Sequence, residues 1–177
     1  MAILLQERKE TVSVAETVRI AASPSCPAFF LPANLAQAAG GLLSAALLSF
    51  PGASGYYQGG LTLYTLESRK AFAGWTEAYT HDYTGPNPDI VSQLAEHTRT
   101  TLGSTDAVGE SGPAGPTGGQ TRNRIPGYVA LAVAVEGKET VTREVASGSS
   151  DRAANMVRFA WEGLALLRDV IKGGGRL

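Results

Sequence analysis

A glycine- and proline-rich stretch at residues 111–119 is the strongest candidate for chemistry in this chain. It reads Ser-Gly-Pro-Ala-Gly-Pro-Thr-Gly-Gly, so glycines expose backbone N–H groups while two prolines stiffen the loop. Such a loop favours an anion, and the nearby Arg122 and Arg124 can add guanidinium groups. A plain connecting loop with solvated charges is an equal alternative. The candidate ligand-contacting residues here are Ser111, Gly112, Gly115, Gly118 and Arg124.

Tyr64 and two arginines are further candidates. Tyr64 ends a predicted strand, and Arg69 follows at the start of a predicted helix. A tyrosine beside cations can donate a proton, although half-buried packing is the commoner role of a strand tyrosine. Arg152 opens the last predicted helix, where a cation opposes the helix dipole. That position indicates either a specific ligand or a salt bridge with Asp151 or Glu110.

The other reactive side chains have no partner at a useful spacing. His81 and His97 are isolated in the sequence, and a lone Cys26 cannot form an internal disulfide. Trp75 and Trp161 are expected to pack rather than to stack on a ligand. We therefore expect no metal site and no cofactor.

The composition is that of a globular domain. The chain has 177 residues, of which 44% are hydrophobic, with 21 glycines and nine prolines that indicate many tight turns. No break in composition separates two cores. We expect a single domain over residues 1–172, followed by a flexible tail at residues 173–177.

The nearly neutral net charge argues against nucleic acid and anionic membranes as binding partners. Fifteen basic and sixteen acidic residues leave a net charge of -1, which gives no general field for nucleic acid or for an anionic membrane surface. The longest apolar stretch, residues 42–50, is far shorter than the ~20 residues that cross a bilayer. Glutamates near the N-terminus argue against a signal peptide. We expect a cytoplasmic protein with a small-molecule ligand, and apolar helix faces leave assembly as a homo-oligomer open.

The first half of the chain predicts alternating helices and strands. Residues 3–22 suit one surface helix, and residues 28–31 suit a short strand among prolines. The Gly40-Gly41 pair predicts a turn opening into a buried helix that Pro51-Gly52 ends. Residues 59–66 alternate as in a strand.

The second half continues this pattern. Asn87-Pro88 predicts a helix that Gly103 ends, and residues 105–110 predict a strand. Residues 128–135 and 140–145 predict a hairpin, and a long final helix is expected to be capped by Ser149 or Ser150. Helices interleaved with strands predict a layered α/β domain, an α/β/α arrangement with helices on both faces of a mixed sheet.

Several stretches follow one another in a specific order: Gly40-Gly41-Leu42, residues 51–60, Leu63-Tyr64-Thr65 with Glu67, residues 111–119, residues 126–131 and Asp151-Arg152. Taken together, they resemble the CinA C-terminal domain, the nicotinamide mononucleotide amidase family. The resemblance spans roughly residues 28–172 and is nearest to short, single-domain fungal members. It implies the fold of that family and an amidase pocket.

The resemblance also implies that two catalytic positions are substituted. The family's Glu-Ser-Cys/Leu-Thr-Gly-Gly motif supplies a serine nucleophile, whereas residues 36–41 read Ala-Gln-Ala-Ala-Gly-Gly and put Gln37 at that position. The family's Tyr-x-x-Glu-x-Lys motif reads Tyr-Thr-Leu-Glu-Ser-Arg here, so Tyr64 is retained and Arg69 replaces the lysine. Glutamine is no nucleophile, and arginine is no base at neutral pH. A pair formed by Ser44 and Lys70 is the alternative source of these groups.

Three functions follow as hypotheses. The first is a cofactor-independent isomerase, cyclase or lyase acting on an apolar metabolite, with Tyr64 as acid or base and Gln37, Ser111 and Arg69 polarising a carbonyl. Gly40, Gly41 and Arg152 would complete its pocket. The second is nicotinamide mononucleotide amidase activity through Ser44 or Ser111. The third is a ligand-binding module without turnover.

Overall fold

The structure, a computed structural model, describes residues 2–20 and 35–173. Helix α1 spans Ala2–Arg8, and strand β1 spans Val12–Ile20. The predicted single helix over residues 3–22 is therefore wrong beyond its first turns, because Val12 to Glu16 form a strand that is buried on both faces and contains the β-branched Val12 and Val14. The predicted strand at 28–31 and most of the predicted tail lie outside the described residues.

The remaining elements alternate as the sequence indicates. The strands are β2 (Leu35–Gln37), β3 (Tyr57–Leu63), β4 (Asp106–Ser111), β5 (Tyr128–Val135) and β6 (Val141–Ala146). The helices are α2 (Leu42–Leu48), α3 (Leu66–Phe72), α4 (Glu77–His81), α5 (Pro88–Leu102) and α6 (Arg152–Ile171). None of these helices, nor α1, is long and apolar enough to cross a membrane.

The strands form one mixed sheet in which β1 is an interior strand. Strand β1 lies parallel to both β3 and β4, and β5 and β6 continue the sheet as antiparallel neighbours beyond β4. The short β2 pairs antiparallel with the end of β1, at Val18 to Ile20. Parallel strands need crossover connections, and helices supply them here.

Strand β5 shows how the two helical layers are built. Its odd-numbered residues Val129, Leu131 and Val133 pack in one core with α2 and α6. Its even-numbered residues Ala130, Ala132 and Ala134 pack in another with α5. A strand buried on both faces reads as a continuous apolar run, as residues 128–135 do. The predicted layered α/β class with helices on both faces is confirmed.

The helix ends follow ordinary capping chemistry. The Asn87 side chain accepts a hydrogen bond from the Ile90 N–H at 2.9 Å, and Gly103 ends α5 in the left-handed conformation with a φ of 64°. The cap of α6 is Asp151, whose carboxylate accepts from the Ala154 N–H at 3.0 Å. The predicted cap at Ser149 or Ser150 is wrong, because Ser149 instead accepts from the Asp151 N–H.

Gly109 lets α5 approach the sheet. A Cβ atom added at Gly109 would lie 2.4 Å from the Val91 carbonyl oxygen and 3.1 Å from the Ala95 Cβ. Both groups belong to α5, so only a residue without a side chain permits this contact.

We expect Gly109→Ala to lower the free energy of unfolding by about 2 kcal/mol, because the helix must move away from β4. Urea denaturation measures the change. Gly55→Ala is the control, since its added Cβ would meet nothing within 4 Å. Equal stability of the two variants would contradict the close approach of α5.

Asp106 should make stability depend on pH. It is 3% exposed, and burial raises the pKa of its carboxyl from 3.8 to about 6 against an opposing hydrogen bond from Thr105. A raised pKa in the folded state means that stability falls as the pH rises between these two values.

Asp106→Asn should therefore increase stability by about 2 kcal/mol above the folded pKa and should have little effect at about pH 4. Urea titrations at about pH 4 and at a pH above the folded pKa measure this change in the free energy of unfolding. The exposed Asp82→Asn serves as the control. A loss of stability above the folded pKa would contradict the assignment.

Candidate functional site

The ends of three parallel strands meet at one edge of the sheet. Thr17 of β1 pairs in register with Leu63 of β3 on one side and with Ser111 of β4 on the other. In open α/β sheets, ligands bind outside the carboxyl ends of the strands. The start of α2 lies at this same edge, which makes it the candidate functional site.

Glu16 holds the start of α2. It is fully buried in β1, and its Oε2 accepts a hydrogen bond from the Gly41 N–H. Its Oε1 accepts from the Ser44 N–H at 3.2 Å and from the Ser44 hydroxyl at 3.3 Å. Burial raises the pKa of Glu16, and the hydrogen bonds from Gly41 and Ser44 oppose that rise. Since both oxygens accept, the geometry suits the ionised carboxylate.

Glu110 places a second carboxyl beside the first. It is fully buried, pairs in register with Glu16, and accepts a hydrogen bond from the Ala39 N–H at 2.8 Å. Burial raises the pKa of Glu110 well above its usual range, and the charge of Glu16 adds to the rise. The Ala39 N–H and the Arg69 guanidinium oppose it. Like charges so placed favour one shared negative charge over two.

Ser44 and Tyr57 extend this polar cluster towards solvent. The Tyr57 hydroxyl is hydrogen-bonded to the Ser44 side chain, while burial raises the pKa of Tyr57. A Cβ atom at Gly60 would lie 2.5 Å from the Tyr57 hydroxyl and 2.7 Å from the Ser44 Oγ. Gly60 thus provides the space in which the two hydroxyl groups meet Glu16.

Arg69 lies inside the protein, beside this cluster. It is fully buried, and its guanidinium stacks 5.0 Å from the centre of the Trp75 ring and 5.1 Å from that of Tyr83. Such stacking stabilises a cation that water does not reach. The alternative pair is not assembled, because Lys70 contacts Glu77 at 2.7 Å whereas Ser44 contacts Glu16.

The structure also locates two other residues predicted to be catalytic, Tyr64 and Gln37. Tyr64 connects β3 to α3, and its buried hydroxyl has no hydrogen-bond partner among the described residues. For Gln37 the structure describes the backbone, which ends β2 and pairs in register with Val18. Its predicted role in polarising a carbonyl stays a prediction.

The glycines of the 111–119 loop pack against the protein's own backbone. A Cβ atom at Gly112 would lie 2.2 Å from the Tyr128 oxygen, one at Gly115 2.5 Å from the Ser150 oxygen, and one at Gly118 2.3 Å from the Arg124 oxygen. These contacts explain the three glycines without a ligand. Ser111, which begins the loop, is only 1% exposed.

Two arginines hold this loop in place. The Arg152 Nη1 donates to the Gly115 oxygen at 3.0 Å. The Arg124 Nε donates to the Thr84 oxygen at 2.8 Å. The structure thus brings Arg152 to the predicted loop, whereas Arg124 ties it to the segment before α5.

Sequence reasoning missed the two carboxyl groups at the centre of the site. Glu16 falls in the segment predicted as a helix, and Glu110 was considered only as a salt-bridge partner. The signal was a glutamate that follows the small and β-branched residues Val12 to Ala15, none of which carries a charge. A buried charge in such a strand indicates a specific partner.

The fold and this edge define the class of protein. It is a layered α/β domain in which two buried glutamates bind the turn that precedes a short helix, α2. The model of the CinA C-terminal domain matches residues 35–171, and the chain belongs to that family. A solved CinA superfamily protein from Enterobacter cloacae has the same fold, with a TM-score of 0.77 and 22% identity over 96% of this chain and 87% of that one.

Curated relatives match part of the chain. A CinA-like protein of Shewanella amazonensis is 38% identical over 98 residues, which are 55% of this chain and 23% of the relative. A protein of Shewanella oneidensis named nicotinamide-nucleotide amidohydrolase PncC is 38% identical over 95 residues, 54% of this chain and 22% of the relative. The match thus spans less than a quarter of either relative's length.

The predicted isomerase, cyclase or lyase is wrong. The family match and the amidohydrolase name among the relatives support the amidase alternative instead. The site also retains acidic groups, because the carboxyl groups of Glu16 and Glu110 bind the N–H groups of the Ala39–Gly41 turn.

We expect Glu16→Gln to lower the free energy of unfolding by about 1–2 kcal/mol, because the new amide NH₂ would face a backbone N–H of α2. Urea denaturation measures the loss. Glu7→Gln, at an exposed position of α1, should change nothing. A variant as stable as the parent would show that the carboxylate does not hold α2.

Proposed function

We propose that this chain hydrolyses the carboxamide of a nicotinamide nucleotide to the carboxylic acid and ammonia. The observation that carries the proposal is the buried Glu16 carboxylate, fixed at the carboxyl ends of the parallel strands beside hydroxyl groups and the start of α2. The name of the Shewanella oneidensis relative supports the substrate class.

The local chemistry suits an amide. Hydrolysis of an amide needs a nucleophile and groups that move protons, and a carboxylate with a raised pKa is a better proton acceptor than an ordinary one. Glu16 and Glu110 are both shifted in that direction, chiefly by burial. The edge therefore combines proton carriers with hydroxyl groups within one short stretch of the sheet.

Arg152 would bind the phosphate of a nucleotide. Its contact with the Gly115 oxygen occupies one of the five N–H donors of a guanidinium. The side chain is half-buried at the 111–119 loop, next to the candidate edge. Guanidinium groups recognise phosphate through paired N–H donors, which supports a nucleotide over a neutral amide.

Ammonia release from nicotinamide mononucleotide tests the proposal. We expect the purified chain to release ammonia above a heat-inactivated sample and Glu16→Gln to reduce the rate by ~100-fold, since a carboxamide cannot accept a proton. Glu7→Gln is the matched control and should retain the rate. Chromatography should show nicotinic acid mononucleotide in equal amount.

Two results would contradict it. The first is ammonia release that never exceeds the heat-inactivated sample. The second is equal turnover of nicotinamide mononucleotide by Glu16→Gln and the parent, which would place the reaction elsewhere on the molecule. Nicotinamide riboside, which lacks the phosphate, should be hydrolysed more slowly at low concentration if Arg152 binds that group.

A further inference from the structure

We infer that residues 18–37 are a dispensable insertion within the nucleophile motif and that the catalytic hydroxyl is that of Thr17 rather than any group at Gln37. With the insertion set aside, the motif reads Glu16-Thr17 followed by Ala38-Ala39-Gly40-Gly41. The inference rests on the proposed function, because it names the residue that attacks the amide.

The two ends of the insertion lie together. Strands β1 and β2 form an antiparallel pair in which Val18 pairs with Gln37, Arg19 with Ala36 and Ile20 with Leu35. The chain thus leaves the end of β1 and returns to the same place. Paired Cα atoms of such strands are ~4.5–5.5 Å apart, close to the 3.8 Å between consecutive residues. Thr17 and Ala38 can therefore be joined with a small local adjustment.

Hydrogen bonds connect the residues that precede the insertion with those that follow it. Before the insertion, Glu16 accepts hydrogen bonds from Gly41 and Ser44, which follow it. After the insertion, the Ala39 N–H donates to Glu110, the register partner of Glu16. Two of these hydrogen bonds join the residues on either side of the insertion directly, and the third joins them through the neighbouring strand β4.

The sequence that flanks the insertion also matches the family's nucleophile motif. Residues 12–17 read Val-Ser-Val-Ala-Glu-Thr, and a hydroxyl residue directly after the glutamate matches the Glu-Ser order of the motif. The contiguous alignment offered Ala36 and Gln37 for these two positions and so lost both functions. The family model matches only from residue 35 onward, as expected if the pattern is interrupted before that point.

The boundaries of the insertion suggest its origin. Every valine codon begins with GT, and the glutamine codon CAG ends with AG, the dinucleotides that bound most spliced introns. Val18 and Gln37 are the first and last residues of the insertion, and its removal keeps the reading frame. In an organism with introns, the spliced message would encode the uninterrupted motif.

The chemistry of the step is that of an acyl transfer. The Thr17 oxygen attacks the carboxamide carbon, the carbon–nitrogen bond breaks, and the hydroxyl proton ends on the departing ammonia. Water then cleaves the resulting ester, which restores the hydroxyl and yields the acid. Threonine serves as such a nucleophile when a neighbouring group accepts its proton. The position of Thr17, between Leu63 and Ser111 at the ends of the strands, is where a ligand would lie.

Four proteins test the inference: the full chain, a variant lacking residues 18–37, and that variant with Thr17→Ala or Thr17→Ser. We expect the deletion variant to unfold cooperatively and to release ammonia from nicotinamide mononucleotide at least ~10-fold faster than the full chain, because the motif is continuous. Thr17→Ala should lower that rate ~100-fold or more, and Thr17→Ser should retain most of it. Thr100→Ala, at an exposed position of α5, is the control.

A second readout separates this inference from the proposed function. A fluorophosphonate, which phosphonylates active hydroxyl groups with loss of fluoride, should add its phosphonyl group to the deletion variant at Thr17 and leave Thr17→Ala unmodified. Labelling at Thr17 without turnover of the nucleotide would contradict the proposed substrate but support Thr17 as the nucleophile. Turnover of the nucleotide by the Thr17→Ala variant would support the substrate but contradict the assignment of Thr17.

Three further outcomes would overturn the inference. One is a deletion variant that does not unfold cooperatively, since the segment would then be part of the fold. Another is Gln37→Ser in the full chain raising the rate more than the deletion does, since residue 37 would then occupy the nucleophile position. The third is a message from an intron-bearing source organism that retains these codons throughout while the deletion variant is inactive.

Discussion

The structure depends on a buried carboxylate that accepts N–H groups from the start of a short helix. Glu16 lies in an interior strand, where a buried charge without partners would cost several kcal/mol, and it is tolerated because Gly41 and Ser44 direct their N–H groups to it. The same bonds fix the entry of α2, whose Leu43 and Leu47 then complete the core beside α6. One interaction therefore sets both the position of a helix and the polarity of the site.

The second carboxyl and the buried cation extend this arrangement across the sheet. Glu110 pairs in register with Glu16 from the neighbouring strand, and the positive charge of Arg69, in the last turn of α3, opposes the rise in the pKa of Glu110. Arg69 is enclosed by Trp75 and Tyr83, so its charge acts through the protein interior and not on solvent. An arginine suits this place better than a lysine, because a planar, weakly hydrated guanidinium stacks on aromatic rings.

Local patterns predicted most of the fold. The Asn87-Pro88 start and Gly103 end of α5, the glycine pair before α2 and the apolar run of β5 each depend on neighbouring residues and were correct. The N-terminal strand was missed because Val12 to Glu16 are buried on both faces, so they lack the alternation of a half-buried strand, and because they adjoin a true helix. The site was harder, because the Glu16–Gly41 and Glu110–Ala39 contacts join residues far apart in sequence.

The place of β1 between β3 and β4 has a consequence for how this chain is made. The ribosome makes β1 well before these two parallel neighbours, since β3 begins at Tyr57 and β4 at Asp106. Until then Val12 to Thr17 carry unpaired backbone groups on both edges, which is the exposure that invites aggregation. The nascent chain is thus most vulnerable between the synthesis of β1 and that of β4, and a chaperone that shields β1 over this interval would serve it best.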